Sequence, residues 1–169
     1  MAFANPCNLQ YIEPVNKKLL FESLKTEIKN NLQLAYAAAQ NTYDIATHED
    51  SKAENKYDTR GLEASYLAGA QAERVMDLKD TLTLVASIAV KEFSVSDKIG
   101  LTALLHLKAG EKKLWVLLLP KGGGQSFTFE EKLIQVITPE SPLGEQLVGK
   151  QVDDSFTINK KEYEIAEIF

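Results

Sequence analysis

The stretch KKLLFESLKTEIKNNLQLAYAAAQNTYDIA, residues 17–46, decides the fold. Within it Phe21, Leu24, Ile28, Asn31, Ala35, Ala38, Thr42 and Ile45 recur at alternating spacings of three and four. That is the a/d seam of a heptad, which sets one side of a helix against a neighbouring helix. Asn16, two residues after Pro14, is placed to cap the helix, and Leu19 and Leu20 begin its apolar run. A second seam follows in residues 57–79, where Tyr57, Gly61, Ala64, Ala68, Gln71, Val75 and Leu78 repeat the pattern. Two matched seams separated by a short polar stretch describe an antiparallel helical hairpin. Alanine and glycine fill its middle, so the backbones can approach closely and the pair is slim. About 30 residues at a rise of 1.5 Å give an arm of roughly 45 Å. Such an arm is expected to project. The same seams would also serve a dimerising coiled coil or half of a four-helix bundle.

The pattern changes near residue 80. Residues 17–79 contain no proline, whereas β-branched runs and most of the glycine lie beyond them. The expected organisation is an N-terminal extension (1–14), a coiled-coil hairpin domain (15–80) and a β domain (81–169). Residues 81–89 are β-rich and read as a strand. Residues 101–108 and 113–119 read as two strands joined at Ala109-Gly110-Glu111-Lys112. Residues 133–138 follow a Gly122-Gly123-Gly124 loop. Ser141-Pro142 opens a short helix, with serine at the N-cap and proline at the first helical position. Residues 156–159 and 163–168 form a closing hairpin. The fold class is α+β, a helical hairpin followed by a small antiparallel β domain with one short helix.

Composition removes several classes of function. The hydrophobic fraction of 44% supports a folded core, and the net charge of −5 disfavours free duplex DNA as a partner. With Cys7 as the single cysteine, no intramolecular disulfide and no cysteine-based zinc site can form. The N-terminus lacks the basic and apolar regions of a signal peptide, and no stretch approaches 18 apolar residues. A soluble, cytoplasmic protein is expected.

The turn of the hairpin is acidic. Glu49, Asp50 and Glu54 fall within or just beyond Ala46-Thr47-His48-Glu49-Asp50-Ser51. One reading makes these acids helix caps, since Asp50 or Ser51 can accept from free backbone N–H groups at a positive helix N-terminus. The other makes them oxygen ligands at the end of a rigid arm. Mg²⁺ prefers oxygen donors and keeps several waters. One or two added carboxylates suffice to help a metal activate water for in-line attack on a phosphodiester. Lys52, Lys56 and Arg60 follow at i, i+4, i+8, either facing phosphates and an acidic wall or forming a solvated face paired with Glu49 or Glu63.

Two segments resemble the GreA/GreB family. Pro139-Glu140-Ser141-Pro142-Leu143-Gly144-Glu145-Gln146-Leu147-Val148-Gly149-Lys150 is similar to the family's Ser-Pro-Leu-Gly and Leu-Leu-Gly-Lys signature. It is followed by Val152-Asp153-Asp154 and Tyr163-Glu164-Ile165, as in that family. Glu54-Asn55-Lys56-Tyr57-Asp58 resembles the family's tip segment Glu-Asn-Ala-Glu-Tyr. The order, hairpin and then FKBP-like domain, matches too, and the resemblance spans roughly residues 15–169. It implies a transcription elongation factor that binds bacterial RNA polymerase through its C-terminal domain and inserts the hairpin into the secondary channel. It further implies that Glu49, Asp50 and Glu54 present carboxylates there, Asp50 and Glu54 toward a Mg²⁺ shared with the polymerase. The backtracked RNA 3′ end would be cleaved by the polymerase, with the factor stimulating rather than catalysing, as a monomer with no cofactor of its own.

The tip departs from the family's Asp-x-x-Glu pair. Aligning Tyr57 puts Asp50 on the family's aspartate and Ala53 where the glutamate belongs; aligning Glu54-Asn55 leaves Asp50 one residue early. A re-spaced tip motivates an alternative, a Gre-fold regulator that occupies the channel without stimulating cleavage. Other signals carry less. Lys121-Gly122-Gly123-Gly124-Gln125 lacks the ending of a P-loop and reads as a flexible loop. His48 and His106 are too few and too distant for a metal motif, and His106 between Leu105 and Leu107 reads as structural. An FKBP-like fold does not by itself make an isomerase.

Overall fold

The computed structural model describes residues 15–47 and 60–169. Helix α1 (Lys17–Thr47) and helix α2 (Arg60–Ser87) form the expected antiparallel hairpin. Asn16 caps α1, its Oδ1 accepting from the Leu19 amide at 3.2 Å. The seam of α2 holds, with Gly61, Ala64, Ala68 and Gln71 half-buried and Val75 and Leu78 buried. On α1, Phe21, Leu24, Ile28 and Ala35 are buried, but Ala38 and Ile45 are exposed, and Leu32 and Ala39 pack in their stead. An α-helix turns every 3.6 residues, so a strict heptad drifts about 20° per repeat and leaves the seam along a straight helix.

Residues 81–89 are not a strand. Helix α2 runs on to Ser87. The heptad continues past Leu78 through Leu82 and Val85, which face the core. The hydroxyls that favoured a strand are satisfied inside the helix. Thr81 Oγ1 donates to the Asp77 carbonyl at 2.8 Å, Thr83 Oγ1 to Lys79 at 3.0 Å and Ser87 Oγ to Thr83 at 3.0 Å.

Six strands follow: β1 (Leu104–Ala109), β2 (Lys112–Leu118), β3 (Ser126–Phe129), β4 (Lys132–Ile137), β5 (Ser155–Ile158) and β6 (Lys161–Ile168). Helix α3 (Pro142–Leu147) lies between β4 and β5. The sheet order is β3-β4-β2-β1-β6-β5. The α+β expectation of a hairpin followed by a sheet with one short helix holds, with two differences. The β2/β4 pair is parallel, Trp115 opposite Ile134 and Leu117 opposite Val136, in a sheet otherwise antiparallel. Strand β3 escaped the sequence reading because its four residues turn into β4 through Glu130 and Glu131. Both adopt left-handed φ of 47° and 62° without a glycine or asparagine to announce the turn. The β5–β6 turn uses Asn159 and Lys160 in the same way, at 51° and 63°.

Both faces of the sheet are covered. One carries Leu105, Leu107, Val116, Leu118, Ile165 and Ile168 under Leu147 of α3 and Ile99 of the α2–β1 connection. The other carries Leu104, Leu117, Phe127, Phe129, Ile134 and Val136, which form one cluster with Leu20, Phe21, Leu24 and Ile28 of α1 and Val75, Leu78 and Val85 of α2. The root of the hairpin is therefore part of the β domain's core.

Polar contacts pin the root. Lys121, after β2, pairs with Asp80 at 3.0 Å and Asp77 at 3.2 Å on α2, and both carboxylates hold its ammonium above the usual lysine range. The glycine loop is packed rather than loose at its first position. Gly122 is buried with φ of +87°, and a Cβ there would meet Thr81 Cγ2 at 2.7 Å. Lys17 is 2% exposed, and its Nζ donates to the carbonyls of Lys91 and Thr102. Burial pushes its amine down to about 8; Glu92 opposes the shift and Lys91 reinforces it. Between about pH 8 and the ordinary 10.5, an unfolded chain holds a proton that the folded chain has released. The stability contributed by Lys17 therefore rises with pH across that window and is flat below it. Denaturant unfolding at about pH 7.5 and about pH 10 should show a larger rise for the parent than for Lys17→Met; equal rises would contradict the assignment.

Candidate functional site

The candidate site is the outer end of the arm. From Tyr36 to Thr47 on α1, and from Gly61 to Arg74 on α2, no described side chain is buried. Twelve residues on one side and fourteen on the other give roughly 20 Å of two-helix arm with no wide core of its own. Close approach is what keeps it together. Ala35, Ala39, Ala64 and Ala68 lie on the facing sides, so backbone rather than bulk fills the space between the helices.

Local bonds stiffen this end. Gln40 Nε2 donates to Asp44 Oδ1 at 2.8 Å, one turn apart. Thr42 Oγ1 donates to the Ala38 carbonyl at 2.8 Å and Thr47 Oγ1 to Tyr43 at 2.9 Å. Glu63 sits in the first turn of α2, where the helix dipole favours an acid. Segment 48–59 is joined to Thr47 at one end and Arg60 at the other, so the chain ties it to the far end of both helices.

Glu49, Asp50, Lys52, Glu54 and Lys56 lie outside the described residues, as does His48. Arg60 is the first residue of α2. Among the described residues, no group of three or more His, Cys, Asp or Glu could hold a metal ion. The carboxylates expected from the sequence to meet Mg²⁺, Asp50 and Glu54, are of the oxygen-donor type that hard cation accepts, and they lie outside the described residues.

The sequence reading missed the apolar flank of the arm. Tyr43, Ile45, Leu62, Tyr66 and Leu67 are all more than half exposed. A shallow groove of about 350 Å³ runs between the helices, floored by Ala39, Ala68 and Ala72 and walled by Tyr36, Tyr43 and Met76. Lys79 closes its root end with its ammonium 4.8 Å from the centre of the Tyr36 ring. The signal was present in the i, i+7 spacing of Tyr36 and Tyr43, one position off the seam.

Away from the arm, the reading of His106 as a structural residue agrees with its surroundings. It is buried, stacks on Trp115 at 4.6 Å and 11°, and places Nδ1 3.5 Å from Glu167 Oε1. The Ser141-Pro142 signature builds α3 as expected. Ser141 Oγ accepts from the Gly144 amide at 3.1 Å and donates to the Thr138 carbonyl at 2.7 Å. Gly144 is fixed by space, since a Cβ there would collide with that same Thr138 carbonyl. No helix among the described residues is long and apolar enough to cross a membrane.

Fold and site define a class of protein, an α+β body from which a slender helical arm extends, its two helices joined by an acid-bearing segment. No family model matches the chain, and no curated protein is similar to it in sequence. Solved structures similar to it include GreA factor homolog 1 (Gfh1) of Thermus thermophilus, at 18% identity and a TM-score of 0.35 over 86% of this chain and 94% of that one. Gfh1 of Thermus aquaticus is similar at 20% identity and a TM-score of 0.34, over 85% and 92% of the two chains. A further structure, of the transcription factor Gfh1, gives 22% and 0.35 over 86% and 93%.

Proposed function

We propose that this chain is a Gre-type transcription factor that binds RNA polymerase through its β domain and stimulates cleavage of backtracked RNA through its arm. The observation that carries the reading is the arm itself, two helices wide and with no buried side chain among the described residues of its outer stretch, joined by a segment rich in acids. The β domain alone has no comparable reach. The 141–150 signature, realised as a capped helix on a required glycine, supports the same reading.

In this account Glu49, Asp50 and Glu54 are the groups that approach the polymerase active centre, and Lys52, Lys56 and Arg60 face RNA or polymerase. The shared Mg²⁺, when bound, supplies the Lewis acidity and lowers the pKa of the attacking water. Asp50 and Glu54 would supply oxygens to orient it, and the length of the arm would carry them toward the active centre. The factor is not itself an enzyme; the polymerase breaks the phosphodiester near the RNA 3′ end. A second reading, a regulator that occupies the channel without stimulating cleavage, is favoured by one observation. The spacing of Asp50, Ala53 and Glu54 fits neither alignment of the family's acid pair.

Stalled, backtracked polymerase complexes test both. The expected result is faster release of short 3′ RNA fragments with added protein. Asp50→Ala and Glu54→Ala should each abolish that stimulation and leave polymerase binding intact. Binding without stimulation would select the second reading. Absence of binding would reject both.

A further inference from the structure

Lys17 is the first residue of α1 and one of the few charged side chains that are buried. Two stretches of the α2–β1 connection meet on it. Its Nζ donates to the Lys91 carbonyl in the α2–β1 connection and, at 2.9 Å, to the Thr102 carbonyl just before β1. The Lys91 amide in turn donates to Thr102 Oγ1 at 3.0 Å, and the Thr102 amide donates to the Leu118 carbonyl at 2.8 Å. Thr102 has a φ of 71°, a left-handed conformation that a β-branched residue adopts at a cost. The ammonium groups of Lys17 and Lys91 lie 4.7 and 4.6 Å from the centre of the Phe93 ring.

We propose that this node is a positioning device: Lys17 sets the direction in which the arm leaves the β domain, and the arm swings when its bonds are removed. The rest of the junction is poorly suited to that task. The cluster joining Leu20, Phe21 and Leu24 to Leu117 and Ile134 is apolar; its packing keeps the two elements in contact, while the hydrophobic effect behind it carries no direction of its own. The other polar tie, Lys121 to Asp77 and Asp80, is in contact with solvent, where ion pairs are weak. The bonds of Lys17 are directional, that to Thr102 buried and that to Lys91 partly so, and both acceptors are backbone groups. They join the root of α1 to the segment that carries the chain from α2 to the sheet. The inference concerns the arm's direction whatever its partner, so it stands apart from the proposed function.

The test is a distance measurement by pulsed electron paramagnetic resonance on the full chain. Cys7→Ser removes the native thiol; labels go on Gln33→Cys of α1 and Lys160→Cys of the β5–β6 turn, both exposed positions. The parent should give one narrow distance. Lys17→Met, which keeps the aliphatic stem and loses the amine, should give a second, separate distance population. Lys121→Ala should keep the parent's single distance. A merely structural lysine would lower the melting temperature and leave the distance unmoved. A single parent-like distance in Lys17→Met overturns the proposal, as does an equal displacement in Lys121→Ala. Should Lys17→Met fail to fold, Lys17→Gln, one bond shorter and unable to reach both carbonyls, takes its place. A broadened distribution in that variant supports the proposal, and the parent's width overturns it.

Discussion

Leu24→Ala is expected to destabilise the arm and the β domain together, by about 3 kcal/mol. Leu24 is 1% exposed and lies in the cluster that joins Leu20 and Ile28 of the hairpin to Leu104, Leu117 and Ile134 of the sheet. Truncation removes its buried methyl groups and leaves a cavity between two elements that meet nowhere else so extensively. Because that core is shared, its loss cannot be confined to the helices. Helical circular dichroism and the fluorescence of Trp115, the single tryptophan and a sheet residue, should follow one coincident transition, shifted to lower denaturant. An unshifted Trp115 transition beside a weakened helical one would mean two independent units. Leu34→Ala is the control. Leu34 is 70% exposed, and its loss should change stability by no more than about 0.5 kcal/mol.

Gly144→Ala should cost a comparable amount, about 3 kcal/mol, for a different reason. A methyl group at Gly144 would overlap the Thr138 carbonyl oxygen and approach Pro139 Cα at 3.0 Å. These are backbone atoms, and they cannot rotate away as a side chain would. The Ser141 cap depends on the same approach, because its Oγ bridges the Gly144 amide and the Thr138 carbonyl. Gly69→Ala gives the opposite sign. Nothing lies within 4 Å of a Cβ at Gly69, in the interior of α2, so alanine there should stabilise by up to about 1 kcal/mol. Thermal unfolding of the two variants separates a glycine required by space from one that is merely tolerated. Equal, small effects would mean that α3 can shift away from Thr138.

What was legible in the sequence was what local spacing encodes. The α2 seam, the Asn16 cap, the Ser141-Pro142 start of α3 and the Gly110 turn all follow from a few adjacent residues. The reading failed where local preference and wider pattern disagreed. Thr81, Thr83 and Val85 favour strands, yet Leu78, Leu82 and Val85 continue the heptad, and packing against the sheet outweighed propensity. Parallel pairing of β2 with β4 depends on how the chain crosses between distant segments, which no local signal reports. Burial of Lys17 was equally hidden, since its acceptors at Lys91 and Thr102 lie more than seventy residues away. For the candidate site, the acid-rich composition of the tip and the slimness of the arm could be read directly. The apolar flank of Tyr36, Tyr43 and Met76 lies one position off the heptad seam, so the seam's periodicity does not report it.

The decisive question is whether the arm carries its tip to the reacting RNA. A photoreactive side chain in place of Ser51, in protein bound to a backtracked polymerase complex, answers it directly. The account predicts covalent transfer to the RNA 3′ end or to polymerase residues lining the active centre. Attachment only to the outer surface of a polymerase that still binds the protein would contradict it.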